Sequence, residues 1–301
     1  MSKLSLIGRI RDVYRRGGNV LHFLKDGDGS SNDWESIMIS YDFQAGSYTK
    51  MAAETVDYTD RYTDLIAGVM GGLGEYASIM EVGVGEATIM NPLMAKLDPA
   101  GALDAYGFDI SWSRTRYARA NADEAGRDTT LFVANLFEIP LPDNAIDIVY
   151  TSHSLEPNGG KEREALAELY RVARRYVVLL EPDFDSASPE GHERMAGHGY
   201  VRDLAGHARA LGYDVAESRP FGESINPLNP TGLTVIRKTP TAEPVAPGFV
   251  CPVTHTPLTR HEGVLYGEES GLMYPVIDGL PCLIESSAVL GLHFGHFNRA
   301  G

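Results

Sequence analysis

Cysteine is scarce in this chain: of 301 residues only Cys251 and Cys282 carry a thiol, and both lie in the last quarter. A scaffold stapled by several disulfides is excluded, so the bulk of the fold must rest on its apolar core. No apolar run approaches the roughly 20 residues that span a bilayer. The opening MSKLSLIGRIRDVYRRGG lacks the apolar centre of a signal peptide. No membrane partner and a cytoplasmic location are therefore expected. Basic side chains are also outnumbered, with 26 Lys plus Arg against 41 Asp plus Glu and a formal charge of −15. A surface of that sign repels polyphosphate, which disfavours nucleic acid as a partner. What is present is ordinary for a folded globular protein, at 43% hydrophobic and 22% charged residues. The length suggests one large core with an appendage.

Four stretches can be separated along the chain. Residues 1–73 read as helical. In their first part Leu4, Ile7, Ile10 and Val13 fall at helical spacing, while Arg9, Arg11, Arg15 and Arg16 face water. In their second part Tyr41, Phe43, Tyr48, Tyr58 and Tyr62 supply aromatic surface that would lid a pocket. Residues 74–239 alternate short apolar runs with helical segments, from SIMEVG to YVVLLEP, as strands buried on both faces do. This predicts an α/β fold with a doubly wound parallel sheet. YDVAES and LTVIRK, joined by PFGESINPLNPTG, predict a closing antiparallel hairpin at one edge. A proline-rich linker is expected over 240–248, and a compact, turn-rich unit over 249–301.

The strongest motif is Ile79-Met80-Glu81-Val82-Gly83-Val84-Gly85-Glu86, a buried strand running into a glycine turn before a helix. Glycines at 83 and 85 would let a ligand approach the backbone where a Cβ would collide. The Lys-Ser/Thr of a phosphate loop is absent, and Thr88 stands where a dinucleotide fingerprint has its third glycine. Glu81 would repel pyrophosphate but attract an ammonium group, which points to a nucleoside bearing an amino acid. Asp109 ends the second predicted strand, where a carboxylate can accept from ribose hydroxyls. Asn135 ends the third, with an amide suited to an adenine edge. The fourth ends at His153. Open α/β sheets gather their ligands at these carboxyl ends.

Together these residues resemble the class I S-adenosylmethionine-dependent methyltransferases. The resemblance runs from about Tyr41 to Lys238, through YDFQAGSY, EVGVGE, GFDIS, the ANLFEIPLPDNAIDIVYTSHSLEP block and LLEP. It implies a seven-stranded Rossmann-like sheet whose last strand is antiparallel, and S-adenosylmethionine as cofactor. Tyr41, Glu81, Gly83, Gly85 and His153 would then surround the cofactor, with Asp109 on its ribose, Asn135 and Leu136 on its adenine and Ile110 near the ring. Asn135 replaces a commoner aspartate, and the step from Glu81 to Asp109 is longer than usual.

For an alcohol or ammonium acceptor a base is needed, and His153 is the best placed candidate, with Glu156 beside it. Tyr48, Asn158, Glu181 and Asn229 are the expected substrate contacts. Asn158 is equally suited to capping the next helix, and Asn229 and Thr231 belong to a loop stiffened by two Asn-Pro steps. His192 and His198 lack a third ligand at familiar spacing, so no metal is expected there. The last unit, CPVTHTPL…GLMYPVIDGLPCLI, resembles the zinc-ribbon-like activator partner of tRNA and protein methyltransferases. Thr254, Gly267 and Ser270 stand where three of its cysteines would be, so a metal-free β-rich unit that supports the core or a homodimer is expected. The leading function is methylation of a small polar metabolite such as a sugar, sugar nucleotide or amino acid. The alternatives are an RNA or protein methyltransferase with a built-in activator and a noncatalytic cofactor-binding scaffold. The absence of an Asn-Pro-Pro-aromatic signature after the fourth strand weighs against the first of these.

Overall fold

The computed structural model describes residues 3–24, 32–239 and 247–297. Most of the expected linker, residues 240–246, lies outside the described residues. The chain begins with α1 (Ile7–Arg15), α2 (Val20–Leu24), α3 (Trp34–Phe43), α4 (Ser47–Glu54) and α5 (Val56–Gly71). Ile10, Val20, Leu24 and Ile39 form a small apolar cluster of their own. Leu4 and Ile7 stay exposed, so only part of the apolar stripe read in the first helix is buried.

Strands and helices then alternate: β1 (Ser78–Val82), α6 (Met90–Leu97), β2 (Asp104–Asp109), α7 (Trp112–Glu124), β3 (Thr129–Ala134), β4 (Ile146–Ser152), α8 (Glu162–Val172) and β5 (Ala173–Pro182). After α9 (Pro189–His198) and α10 (Leu204–Ala210) come β6 (Asp214–Pro220) and β7 (Thr231–Arg237). The order across the sheet is β6-β7-β5-β4-β1-β2-β3, with β1 parallel to β2 and β4, and β7 antiparallel to β5 and β6. Doubly wound topology and the edge hairpin are thus as expected. All five residues of β1 are buried, as a central strand covered on both faces requires. Met80 and Val82 join the core on one face and Ile79 that on the other, following the two-residue repeat of a strand. Consecutive strands leave β1 in opposite directions, which opens a crevice at the carboxyl ends of β1 and β4.

The sheet does not stop at seven strands. The C-terminal unit contributes β8 (Thr259–His261), β9 (Val264–Tyr266), β10 (Leu272–Ile277), β11 (Leu280–Leu283) and β12 (Val289–Leu290), before a final turn of helix, α11 (Phe294–Phe297). Among the described residues the sheet has twelve strands, because β11 lies parallel to β3 with Cys282 opposite Val133 and Leu283 opposite Ala134. The physical reason is the edge: β3 would otherwise present unpaired backbone N–H and C=O groups, and β11, buried at all four residues, covers its carboxyl end. The join is reinforced where Trp112 Nε1 donates to the Ile277 carbonyl (3.4 Å) and Arg116 pairs with Asp278. Ile110 and Trp112 pack on the cluster of Val133, Cys282 and Ile284. Cys251 sits apart from Cys282, its Sγ 3.2 Å from the Tyr274 hydroxyl. Among the described residues no three His, Cys, Asp or Glu side chains are grouped to hold a metal ion. No helix among them is long and apolar enough to cross a membrane.

Candidate active site

A cavity of about 500 Å³ lies at the carboxyl ends of β1 to β4, roofed by residues of α3, α4 and α5. Its floor is the turn after β1. Gly83 and Gly85 have φ of +70° and +55°, a region L side chains avoid. A Cβ on Gly83 would sit 2.3 Å from the Ser154 Cβ, and one on Gly85 would sit 2.5 Å from Arg114 Nη2. The need for glycine therefore comes from the protein's own side chains, in addition to any ligand. Ser154 is fixed there by donating to the Val82 carbonyl at 2.6 Å.

Two buried carboxylates flank this turn. Glu81 accepts from the Tyr150 hydroxyl at 2.9 Å. Burial pushes its pKa up to about 8, against the opposing pull of that hydrogen bond and of Arg114. Asp109 accepts from Ser111 N at 2.9 Å and Gly85 N at 3.1 Å, with Arg114 Nη1 at 3.7 Å. A carboxylate offers about four acceptor positions, so two remain for a pair of ligand hydroxyls. Ile110, Asn135 and Leu136 line the same end. Asn135 gives its amide oxygen to Phe137 N at 3.2 Å, which leaves the NH2 as its donor toward a heterocycle. The donors and acceptors present fit S-adenosylmethionine: acidic groups for its ammonium and ribose, a bare glycine turn, and an amide and apolar wall for its adenine.

The roof is pinned by groups that sequence reading missed. Glu86, 1% exposed, accepts from Gly46 N (2.9 Å) and Thr49 N (2.7 Å) and so satisfies the first turn of α4. Its place in the EVGVGE run was visible, but nothing local marked it as a cap for a helix 40 residues earlier. Asp42 in the YDFQAGSY segment accepts from Ser111 Oγ at 2.7 Å and Ser113 N at 3.2 Å. Arg114 stands under Tyr41 and Tyr48, its guanidinium carbon 5.1 and 4.4 Å from the ring centres. Tyr48, expected at the substrate, thus meets the partner of Asp109.

At the other end of the cavity stands His153, at φ +53° and held by its N–H donating to the Leu180 carbonyl at 2.9 Å. A non-glycine residue in that region costs of order 1–3 kcal/mol, and such strain gathers at working sites. Its Nδ1 lies 3.2 Å from Glu156 Oε2 and its Nε2 2.8 Å from Thr231 Oγ1. Burial lowers the imidazole pKa, but the Glu156 hydrogen bond and charge, with Glu181 behind, together raise it by more, so the net shift is upward. Asn229 Nδ2 donates to the same Glu156 oxygen at 3.1 Å, and Ser224 Oγ donates to Thr231 Oγ1 at 3.1 Å. Strand β7 and its Asn-Pro loop thereby orient the His153–Glu156 pair.

Two expected substrate contacts are placed differently. Asn158 lines the cavity but turns its NH2 to the Leu155 carbonyl (3.2 Å), and α8 has no side-chain cap from it. Glu181 does not line the cavity. Its Oε1 accepts from Ser154 N and Leu155 N, each at 3.1 Å, and burial raises its pKa to about 7. It holds the loop carrying His153 from below. His192, set aside as a ligand, has Nε2 on the Phe184 carbonyl at 2.6 Å.

Residues 79–175 match the family model described as a methyltransferase domain. That segment contains Glu81, Gly83, Gly85, Asp109, Asn135 and His153. Solved structures similar to this chain include a SAM-dependent methyltransferase from Aquifex aeolicus, with 18% identity, a TM-score of 0.44 and coverage of 56% of this chain and 87% of that one. Another is magnesium protoporphyrin IX methyltransferase from Synechocystis with bound S-adenosylhomocysteine, at 16% identity and TM-score 0.45, covering 78% of this chain and 96% of that one. A third, described as SAM-dependent methyltransferases from Methanosarcina mazei, shares 16% identity at TM-score 0.45, over 57% and 97% of the two chains.

Proposed function

We propose that this class I S-adenosylmethionine-dependent methyltransferase methylates an oxygen or nitrogen of a small polar metabolite, with the His153–Glu156 pair taking the acceptor's proton. The observation that carries this reading is a single cavity with the cofactor cradle at one end and a strained histidine bonded to a carboxylate at the other. When bound, the cofactor supplies a methyl group already activated on a sulfonium. The chain's own residues have three tasks.

Holding comes first. Glu81 would face the ammonium, Asp109 the ribose hydroxyls, Asn135, Leu136 and Ile110 the adenine, and Tyr41 would close the roof. Exclusion of water follows from the helices stapled over the cavity by Glu86 and Asp42. Proton transfer is the third task. An acceptor hydroxyl or ammonium gives its proton to the pair at the Glu156 carboxylate, because both ring nitrogens of His153 are already engaged, Nδ1 by Glu156 and Nε2 by Thr231, and Asn229 helps to hold the carboxylate in place. Positioning of an acceptor along one line with the methyl group is the larger contribution, since orientation alone supplies several kcal/mol.

A concave, helix-roofed cavity of about 500 Å³ is of the size that small molecules fill, which favours a metabolite over RNA or protein as the acceptor. The C-terminal unit, similar to an activator partner, is proposed as a brace. It covers the free edge of β3 and backs Ile110, one wall of the adenine end.

The test is calorimetry with S-adenosylmethionine on the wild type and on Asp109→Ala, followed by turnover assays on a metabolite panel with His153→Ala. Gly83 variants are unsuited to this purpose, because Ser154 would collide with any side chain there. Cofactor binding that is unchanged in Asp109→Ala, or a His153→Ala enzyme with full turnover, would overturn the assignment.

A further inference from the structure

Two cations line the cavity, Arg114 and Arg194, and their circumstances differ. Arg114 is answered by Asp109 at 3.7 Å and by the faces of Tyr41 and Tyr48. Arg194, midway along α9 and half-buried, has a buried Nε with no hydrogen-bond partner. It enters no ion pair and lies over no ring among the described residues. The Tyr200 hydroxyl, bonded to Glu156, feels its charge, but among the described residues no carboxylate pairs with this guanidinium.

That omission has a cost. A buried donor left unpaired costs about 1–3 kcal/mol. The guanidinium is a planar fork of five N–H groups that matches a carboxylate or phosphate in a two-point contact. Asn229, on the same wall, has its NH2 committed to Glu156 while its Oδ1 is buried without a partner. This end of the cavity therefore presents one unanswered cation and one unanswered acceptor beside His153 and Glu156. A neutral sugar can hydrogen-bond to both but leaves the arginine's charge unanswered, and a cationic amine opposes it. A molecule carrying an anion and an N–H or O–H donor satisfies both.

We propose that Arg194 binds a carboxylate or phosphate of the methyl acceptor, so that the substrate class of this enzyme is an anionic metabolite. The proposal rests on the reading of the cavity as a methyltransferase active site. Arg194 fixes the acceptor by its charged end, and the atom to be methylated is presented to the His153–Glu156 pair.

The experiment uses the full chain saturated with S-adenosylhomocysteine and three probes of similar size: benzoate, phenyl phosphate and benzamide. Their ring suits a wall that includes Trp34, Tyr41 and Tyr58. Calorimetry should show one of the two anions binding at least tenfold more tightly than benzamide. Arg194→Met should abolish that preference while S-adenosylhomocysteine affinity stays within twofold, and Arg194→Lys should keep only part of it. Which anion is preferred tells carboxylate from phosphate. If the wild type shows no preference for either anion, or if the preference survives in Arg194→Met, the proposal is wrong. Should Arg194→Met fail to fold, Arg194→Gln, which is uncharged but keeps hydrogen-bond donors, makes the same comparison. Failure of the wild type to bind S-adenosylhomocysteine at all would instead defeat the underlying methyltransferase reading.

Discussion

The two ends of the cavity are built by different means. The end proposed for the cofactor comes, apart from its roof at Tyr41, from one stretch, Glu81 to Leu136, and much of its shape is backbone: a glycine turn, the ends of three strands and a helix start. The other end collects side chains from α3, from the loop after β4, from α9 and from the turn before β7, spread from Trp34 to Asn229. One end is fixed by the sheet itself, while the other depends on side chains carried by separately positioned loops. Acceptor specificity can therefore drift without disturbing the cofactor, and substitutions at the two ends should give separable phenotypes.

The largest effect is expected at the acceptor end. His153→Ala or Glu156→Gln should lower turnover by about 10²–10⁴-fold, the usual contribution of a positioned base, with cofactor affinity nearly unchanged. Stopped-turnover and binding assays on the same preparations check the split, and a loss confined to cofactor binding would erase the distinction. Next comes the cofactor end. Asp109→Ala should weaken S-adenosylmethionine binding by about 10- to 100-fold, since a hydrogen bond to a charged group is worth about 1.5–3 kcal/mol. Calorimetry reads this directly.

Third, Leu283→Ala in β11 removes a fully buried side chain and should cost about 2–5 kcal/mol of stability. Denaturant unfolding measures it. Because β11 supports the wall at Ile110, cofactor affinity should fall as well, and turnover at saturating cofactor should not. The smallest effect is a pH slope. Glu81, with its pKa near 8, is neutral below that pH and must lose its proton to face an ammonium group. Cofactor binding should then release a proton below pH 8, so affinity rises with pH up to about 8 and levels off above it. Glu81→Gln should flatten the slope. Calorimetry in buffers of different ionisation enthalpy counts the proton.

Much of the first end was legible in the sequence because its signals are local. A buried strand followed by Gly83 and Gly85, and carboxyl-end residues such as Asp109 and Asn135, declare themselves through spacing. His153 was visible as a strand end, but its left-handed backbone was not, since nothing in HSLEP demands it. Arg114 carried no signal of its own in the sequence, and only folding brings it against Asp109 and under two tyrosines. Arg194 was hidden between two histidines that drew attention as ligands. The partner of β11 was illegible for a simpler reason. Four apolar residues, Leu280 to Leu283, specify burial but not which of several strand edges they will cover.

That last pairing has a consequence in time. A ribosome makes the chain from its N-terminus, and β3 is complete at Ala134 while its covering strand ends at Leu283. Roughly 150 residues, or about 7–30 s at ordinary elongation rates of about 5–20 residues per second, separate the two. For that interval the sheet carries an open edge of the kind that recruits other chains. Each newly made molecule must keep that edge unpaired until its own β11 emerges. Stop codons shortly before residue 280 should therefore yield chains that clump, even though every residue of the cofactor cradle has been made.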